Sequence, residues 1–270
     1  MGTTTSPTNV EDALEALASG ARVINGGTDI MVPINDGRDN VESWLNLRKV
    51  KSLHHIEKSG EGLRIGAGVT FATIETELAD VAPALAQAAS TVGSRQIRNV
   101  ATIGGNVASA SPAGDSLLPL LVYDAQVELT SLRGTRSIAL NEFFVGPKRT
   151  VREFDELLTA ITINDLRGSQ HFAKVGTRNA MVISICSICA RLDHERGTAR
   201  VSAGSVAPTP VLISSAEKAL LSPQGSAEFS RLVVEASSPI SDHRATAEYR
   251  RHALGILAER VHRKLWQETR

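Results

Sequence analysis

The residue types and spacings that carry chemistry here are two Gly-Gly segments, Ile24-Asn25-Gly26-Gly27-Thr28-Asp29-Ile30 and Thr102-Ile103-Gly104-Gly105-Asn106. Paired glycines remove two Cβ atoms, so the backbone takes φ > 0 or lets a ligand approach the main chain closely. Successive N–H groups in such a bend form a concave anion site without any basic side chain. The second segment lies in Arg98–Asp115, a stretch rich in Gly, Ser and Asn that shows no helical period and reads as a loop. Each segment alone has two readings, a phosphate cradle or a glycine turn joining two elements. Taken together, two such loops with polar neighbours point to one extended phosphate-bearing ligand.

Other reactive constellations are missing. His54, His55, His171, His194, His243, His252 and His262 are scattered, with no His-x-x-x-His pair to hold a metal. There is no Gly-x-Ser-x-Gly elbow and no Gly-x-x-x-x-Gly-Lys loop. Gly66-x-Gly68 has Phe71 where a dinucleotide fingerprint needs its third glycine, which excludes a Rossmann reading. Cys186-Ser187-Ile188-Cys189 sits in an apolar stretch that reads as a strand, where positions i and i+3 face opposite ways and cannot chelate one metal. No side chain is therefore assigned a catalytic role. If the protein is an enzyme, a bound organic cofactor must supply the reactivity.

The elements that position these segments follow in order. Thr8 and Glu11 read as a capping box for a helix carrying Val10, Ala13, Leu14 and Leu17 on one face, ended by Gly20. Ala21–Ile24 is a short strand feeding the first Gly-Gly loop, and residues 31–35 begin a short helix, a context in which N–H groups are presented to a phosphate. Residues 44–47 and 63–69 read as strands, 71–78 and 83–92 as helices, and 115–123 as a short buried helix. A hairpin spans 126–131 and 136–140, and 156–163 is another strand. Beyond the loop Asp165–Ser169, strands at 171–175, 182–192 and 200–206 form an antiparallel sheet, joined by helices at 215–221, 227–236 and 244–266. The last helix is basic, a pattern that mostly marks a solvated face and leaves a subunit contact open.

The chain has 270 residues, 42% hydrophobic, enough for a substantial core. Its 29 basic and 29 acidic side chains cancel, which removes the electrostatic case for binding nucleic acid. No apolar run is long enough to span a membrane and no signal segment opens the sequence, so a cytoplasmic protein is expected. Two cysteines make no disulfide framework, in keeping with a reducing compartment. Met1–Ser6 fits the short myristoylation pattern but reads as a frayed Thr-rich terminus.

At the two Gly-Gly loops the chain resembles the FAD-binding medium subunit of molybdenum hydroxylases, the group of carbon monoxide, xanthine and nicotinate dehydrogenases. Asn25–Ile30 is similar to the family's Ala-Gly-Gly-Thr-Asp-Leu loop, and Ile97–Asp115 to its Ile-Arg-Asn-x-Ala-Thr-Ile-Gly-Gly-Asn stretch running into Ser-Pro-x-x-Asp. Gly66–Thr70, Phe143-Phe144-x-Gly-Pro147, Glu156-Leu157-Leu158, Lys174 and Tyr249-Arg250-Arg251 extend the likeness, in order, over nearly the whole chain.

The resemblance implies an α+β fold: two FAD-binding subdomains (1–57 and 58–165) of the vanillyl-alcohol-oxidase type, then a C-terminal domain (166–270) of antiparallel sheet and helices. By position, the main chain of Ile24, Asn25, Gly26, Gly27, Thr28 and Asp29 and of Thr102, Ile103, Gly104, Gly105 and Asn106 would hold the FAD pyrophosphate. Asp115 would accept from ribityl or ribose hydroxyls, Val92 and Leu158 would pack near the rings, and Lys174 would stand at the isoalloxazine edge. Related flavoproteins of the wider superfamily can attach FAD covalently through a His in the first loop; Thr28 occupies that neighbourhood, which implies non-covalent FAD. Asn25 departs from the usual small Ala, and Gly114 is expected to loosen the turn before Asp115. Molybdopterin and the [2Fe–2S] cluster would reside only in partner subunits, a large and a small one. The chain would pass electrons from the cluster to an acceptor such as NAD, a quinone or oxygen. A free-standing flavin oxidoreductase and a non-catalytic nucleotide-binding or assembly module remain the alternatives.

Overall fold

The computed structural model describes residues 2–60 and 62–267. A three-stranded parallel sheet opens the fold, with Ser43–Asn46 in the middle, Thr3–Thr5 on one side and Arg22–Ile24 on the other. The Thr-rich segment expected to fray is thus an edge strand, in register from Thr3 opposite Ser43 to Thr5 opposite Leu45. Met1, the first residue of the myristoylation pattern, lies outside the described residues. The Val10–Ala18 helix buries Ala13, Leu14 and Leu17 on this sheet. Its cap is Asn9, whose side chain accepts from the Asp12 N–H at 2.8 Å, one residue later than the Thr8 capping box expected.

A five-stranded antiparallel sheet follows, in the order Ile56–Ser59, Gly62–Gly66, Leu157–Ile163, Gln126–Ser131 and Gly134–Ala139. The helices Phe71–Glu77, Pro83–Ser90, Ile103–Ser109 and Leu117–Val122 contribute to one apolar core with this sheet. A four-stranded antiparallel sheet of Ser169–Val175, Cys186–Asp193, Thr198–Gly204 and Val211–Leu212 then carries the helices Ser214–Leu220, Ser226–Glu235 and Ala247–Gln267.

The C-x-x-C reading holds in this sheet. Cys189 belongs to the core shared with the central helices, while Cys186 belongs to the core under the C-terminal helices. Both are free and buried; burial pushes the Cys186 thiol up to about 12 and Cys189 up as well.

The stretch expected to be an irregular loop holds a helix at its centre, Ile103–Ser109, and begins on the last residue of a helical turn. Ser94 caps a turn at Arg95–Arg98, and Thr102 caps Ile103–Ser109, accepting from the Gly105 N–H at 3.2 Å. Glycine is a poor helix former, so propensity alone gave no hint of it. Packing overrides propensity here: a Cβ at Gly104 would lie 2.5 Å from the Ala67 Cβ and 2.6 Å from its carbonyl, so only glycine lets the helix start against that strand end.

Candidate functional site: an N–H-lined cleft at the ends of parallel strands

Parallel strands present their ligands at the carboxyl ends. In the first sheet Ile24 and Asn46 are register partners at those ends, and the chain leaves each into a different loop. From Ile24 it enters Asn25–Ile30; from Asn46 it enters the tight turn Leu47–Lys49, which the Asn46 side chain caps by accepting from the Arg48 N–H at 3.1 Å. Between them opens a cleft of about 330 Å³, lined by Ile24, Asn25, Gly26, Gly27, Thr28, Met31, Asn46 and Arg48.

Hydrogen-bond accounting separates the two Gly-Gly segments. Among the described residues, none accepts from the N–H groups of Asn25 through Ile30; the first donor of the following helix to find a partner is Met31, bonded to the Gly27 carbonyl at 3.1 Å. Half-buried donors of this kind need an acceptor from outside the protein. Gly27 takes φ +75°, the left-handed conformation that turns the loop, so its glycine is a backbone requirement.

In the second segment the donors are satisfied internally. Ile103 donates to the Val69 carbonyl and Gly104 to that of Ala67, both at 3.0 Å, and Asn106 donates to the Thr102 carbonyl at 3.0 Å. The concave N–H site expected there is therefore not formed. Gly105 is the exposed member, and a Cβ on it would meet only Thr102 Oγ1, at 3.1 Å. It lies one turn before Ser109 on the same helix face, and Ser109 donates to Asp29 Oδ2 at 3.1 Å. The Gly26 Cα rests so closely on Val100 that a Cβ would lie 2.1 Å from that carbonyl oxygen. The two segments thus meet, the first offering donors and the second a smooth wall.

The remaining predicted residues fall in other surroundings. Asp115 and Lys174 form one buried ion pair at 2.5 Å; Asp115 also accepts from Ser184 at 2.6 Å and Thr91 at 3.2 Å, and Lys174 donates to the Thr91 and Val182 carbonyls. Burial raises the Asp115 carboxyl, and the Lys174 charge and the hydrogen bonds work against it. Protein donors thus take three of the acceptor positions on the carboxylate expected to take ribityl or ribose hydroxyls, two on Oδ2 and one on Oδ1. Leu158 is part of the apolar core, and Val92 packs half-buried on it. Asn106 turns its side chain to Ser116, whose hydroxyl donates to Oδ1 at 2.7 Å. Gly114 is crowded, since a Cβ there would lie 2.9 Å from Leu117 Cδ1. Asn25 makes no side-chain hydrogen bond among the described residues and simply lines the cleft.

No local sequence pattern marks Met31, Asn46 and Arg48 as cleft residues. The signal lay in the pairing of two short strands: once Ile24 is set beside Asn46, the residues just after Asn46 must border the loop just after Ile24.

Residues 2–164 match the family model described as the FAD binding domain in molybdopterin dehydrogenase, and residues 170–265 match the CO dehydrogenase flavoprotein C-terminal domain. The xanthine dehydrogenase FAD-binding subunit of Escherichia coli O157:H7 is 35% identical over 266 residues, covering 93% of this chain and 91% of the relative. The carbon monoxide dehydrogenase medium chain of Afipia carboxidovorans is 29% identical, over 94% of this chain and 93% of that one. A chain of the reconstituted CO dehydrogenase from Oligotropha carboxidovorans superposes with a TM-score of 0.90 at 26% identity, covering 97% of this chain and 96% of the other. The class these matches define, together with the cleft, is a flavoprotein subunit of an oxidoreductase. Within it, the chain belongs to the family of FAD-binding subunits of molybdopterin dehydrogenases. Among the described residues no helix is long and apolar enough to cross a membrane, and no His, Cys, Asp or Glu cluster is suited to a metal.

Proposed function

We propose that this chain holds FAD non-covalently with its pyrophosphate over Ile24–Asp29, and that it relays electrons from an iron–sulfur subunit of a molybdopterin-containing complex to an external acceptor. The observation that carries the reading is the run of unpartnered N–H groups from Asn25 to Ile30 in a cleft at the ends of parallel strands. Such donors suit a diphosphate, whose oxygens accept several hydrogen bonds at once. The segment around Thr102–Asn106 abuts the first loop through Val100 and Ser109, with Gly105 leaving room for a ligand and Ser109 holding Asp29 in place. The buried Asp115–Lys174 pair fixes the seam between the central helices and the C-terminal sheet, and by the family likeness Lys174 lies toward the flavin ring. Bound FAD supplies the electron exchange that no side chain of this sequence provides.

The C-terminal half of the relatives' architecture is also present, and the relatives' names, medium chain and FAD-binding subunit, support an assembly with a larger molybdopterin chain and a smaller iron–sulfur chain. The purified full chain should be yellow and should release intact FAD on acid denaturation. A tagged copy should bring down two further chains, one carrying molybdopterin and one a [2Fe–2S] cluster. A chain that takes up no FAD from excess overturns the cofactor reading, flavin that stays on the denatured chain overturns non-covalent attachment, and isolation without partners overturns the relay.

A further inference from the structure

The cleft holds one charged side chain. Among its lining residues only Arg48 carries a formal charge, and no carboxylate lines the cleft to neutralise it. Most arginines of the fold with a short-range role are paired: Arg22 with Asp39, Arg98 with Glu75, Arg136 with Glu156, Arg200 with Asp124 and Glu217, Arg250 with Asp242. The Arg48 guanidinium has no ion-pair or hydrogen-bond partner among the described residues, although its own N–H is pinned by Asn46. The turn Leu47–Lys49 therefore fixes the Arg48 backbone at the carboxyl end of the central strand, while its five side-chain donors stay uncommitted beside the open N–H groups of the neighbouring loop.

Planar guanidinium donors match phosphate oxygens in bidentate fashion, and a charge-assisted hydrogen bond is about twice as strong as a neutral one. A diphosphate seated on the Asn25–Ile30 donors needs neutralisation from another direction, since backbone groups carry only partial charge. We infer that Arg48 is a diphosphate-binding residue of this cleft, clamping the ligand from the Asn46 side against the Asn25–Ile30 main chain. This rests on the pyrophosphate reading above and adds the charge that the reading lacked. Recognition then depends on the diphosphate itself, so ADP is held by the same group as FAD.

The full chain, stripped of flavin, is titrated with FAD by flavin fluorescence and with ADP by calorimetry, for wild type, Arg48→Gln and Arg48→Lys. Because Arg48 is exposed and its guanidinium unpartnered, all three should melt at the same temperature without ligand. Arg48→Gln should weaken FAD and ADP alike by about tenfold or more, with a shallower salt dependence, and Arg48→Lys should restore part of the affinity as a point charge. Binding of both ligands by Arg48→Gln within twofold of wild type, at an unchanged salt dependence, overturns the role of Arg48 and leaves the pyrophosphate site standing. A wild-type chain that binds neither ligand overturns the site and this role together.

Discussion

Lys174 Nζ stands 2.5 Å from Asp115 Oδ2, and the two side chains are 10% and 7% exposed. The aspartate follows the second Gly-Gly helix and the lysine lies on the first strand of the C-terminal sheet, so one buried charge pair ties the two halves of the molecule. Removing one partner leaves the other charge buried, which costs about 3–5 kcal/mol. Urea unfolding at pH 7 should show a loss of that size for Lys174→Met. Burial already raises the Asp115 carboxyl above 3.8, and a carboxyl that binds its proton more tightly when folded erodes stability as pH rises above that value. Without Lys174 the carboxyl rises further, so the deficit of Lys174→Met should be larger at pH 7 than at pH 4. A deficit independent of pH would show that the aspartate does not feel the lysine.

The glycines of the two loops should separate into packing and binding positions. Gly26→Ala forces a Cβ to within 2.1 Å of the Val100 carbonyl oxygen and Gly104→Ala to within 2.5 Å of Ala67. Each should cost about 1–3 kcal/mol by overpacking. Gly105→Ala meets no backbone and gains helix propensity, so its melting temperature should equal or exceed wild type while FAD retention falls. Thermal melts with and without added FAD separate the two outcomes.

Acid stability should report on Asp242. Burial opposes its ionisation, but the Arg244 N–H, the Arg250 guanidinium at 2.7 Å and the Ala245 N–H outweigh it and hold the carboxyl at about 2. A depressed carboxyl stabilises the fold above its ordinary 3.8, and the gain is lost as pH falls from there toward 2. Asp242→Asn leaves the buried Arg250 with a neutral partner and should cost about 2–3 kcal/mol at neutral pH. Denaturant midpoints measured down the pH scale should show that difference closing as wild-type Asp242 takes up its proton.

Cys186 and Cys189 should be silent toward Ellman's reagent at pH 8 in the native protein and both reactive in guanidinium chloride. Burial keeps them as thiols, and the thiolate is the reactive species. Fast reaction of either in the native state would contradict their placement.

The sequence revealed those parts of the fold in which local pattern and packing agree. The Gln126–Ser131 strand alternates outward and inward as its residues suggest, and the i, i+3 argument for Cys186 and Cys189 holds because a strand's faces follow from spacing alone. Three features escaped for physical reasons. Thr3–Thr5 pairs with a strand some forty residues later, a partner no local window contains. Ile103–Ser109 is helical against its glycines because Ala67 demands close approach. Asp115 and Lys174 were each placed toward a ligand, yet their distance in sequence hid that they face one another. In the site, the Gly-Gly pattern marked both loops but not which of them keeps its donors free, since that depends on carbonyls supplied by Ala67 and Val69.

Phe172 and Cys189, from strands of the C-terminal sheet, lie in the same apolar core as Leu85, Leu117 and Leu121 of the central helices. Tyr123 donates to Gln170 across that boundary at 2.5 Å, and Ser202 to the Leu118 carbonyl at 2.9 Å. The boundary between the two matched family segments thus runs through shared core and not through a linker. Severing the chain near residue 166 would expose apolar surface on both fragments, so neither half is a unit of exchange: the C-terminal segment cannot be grafted onto another flavoprotein without the helices it packs on.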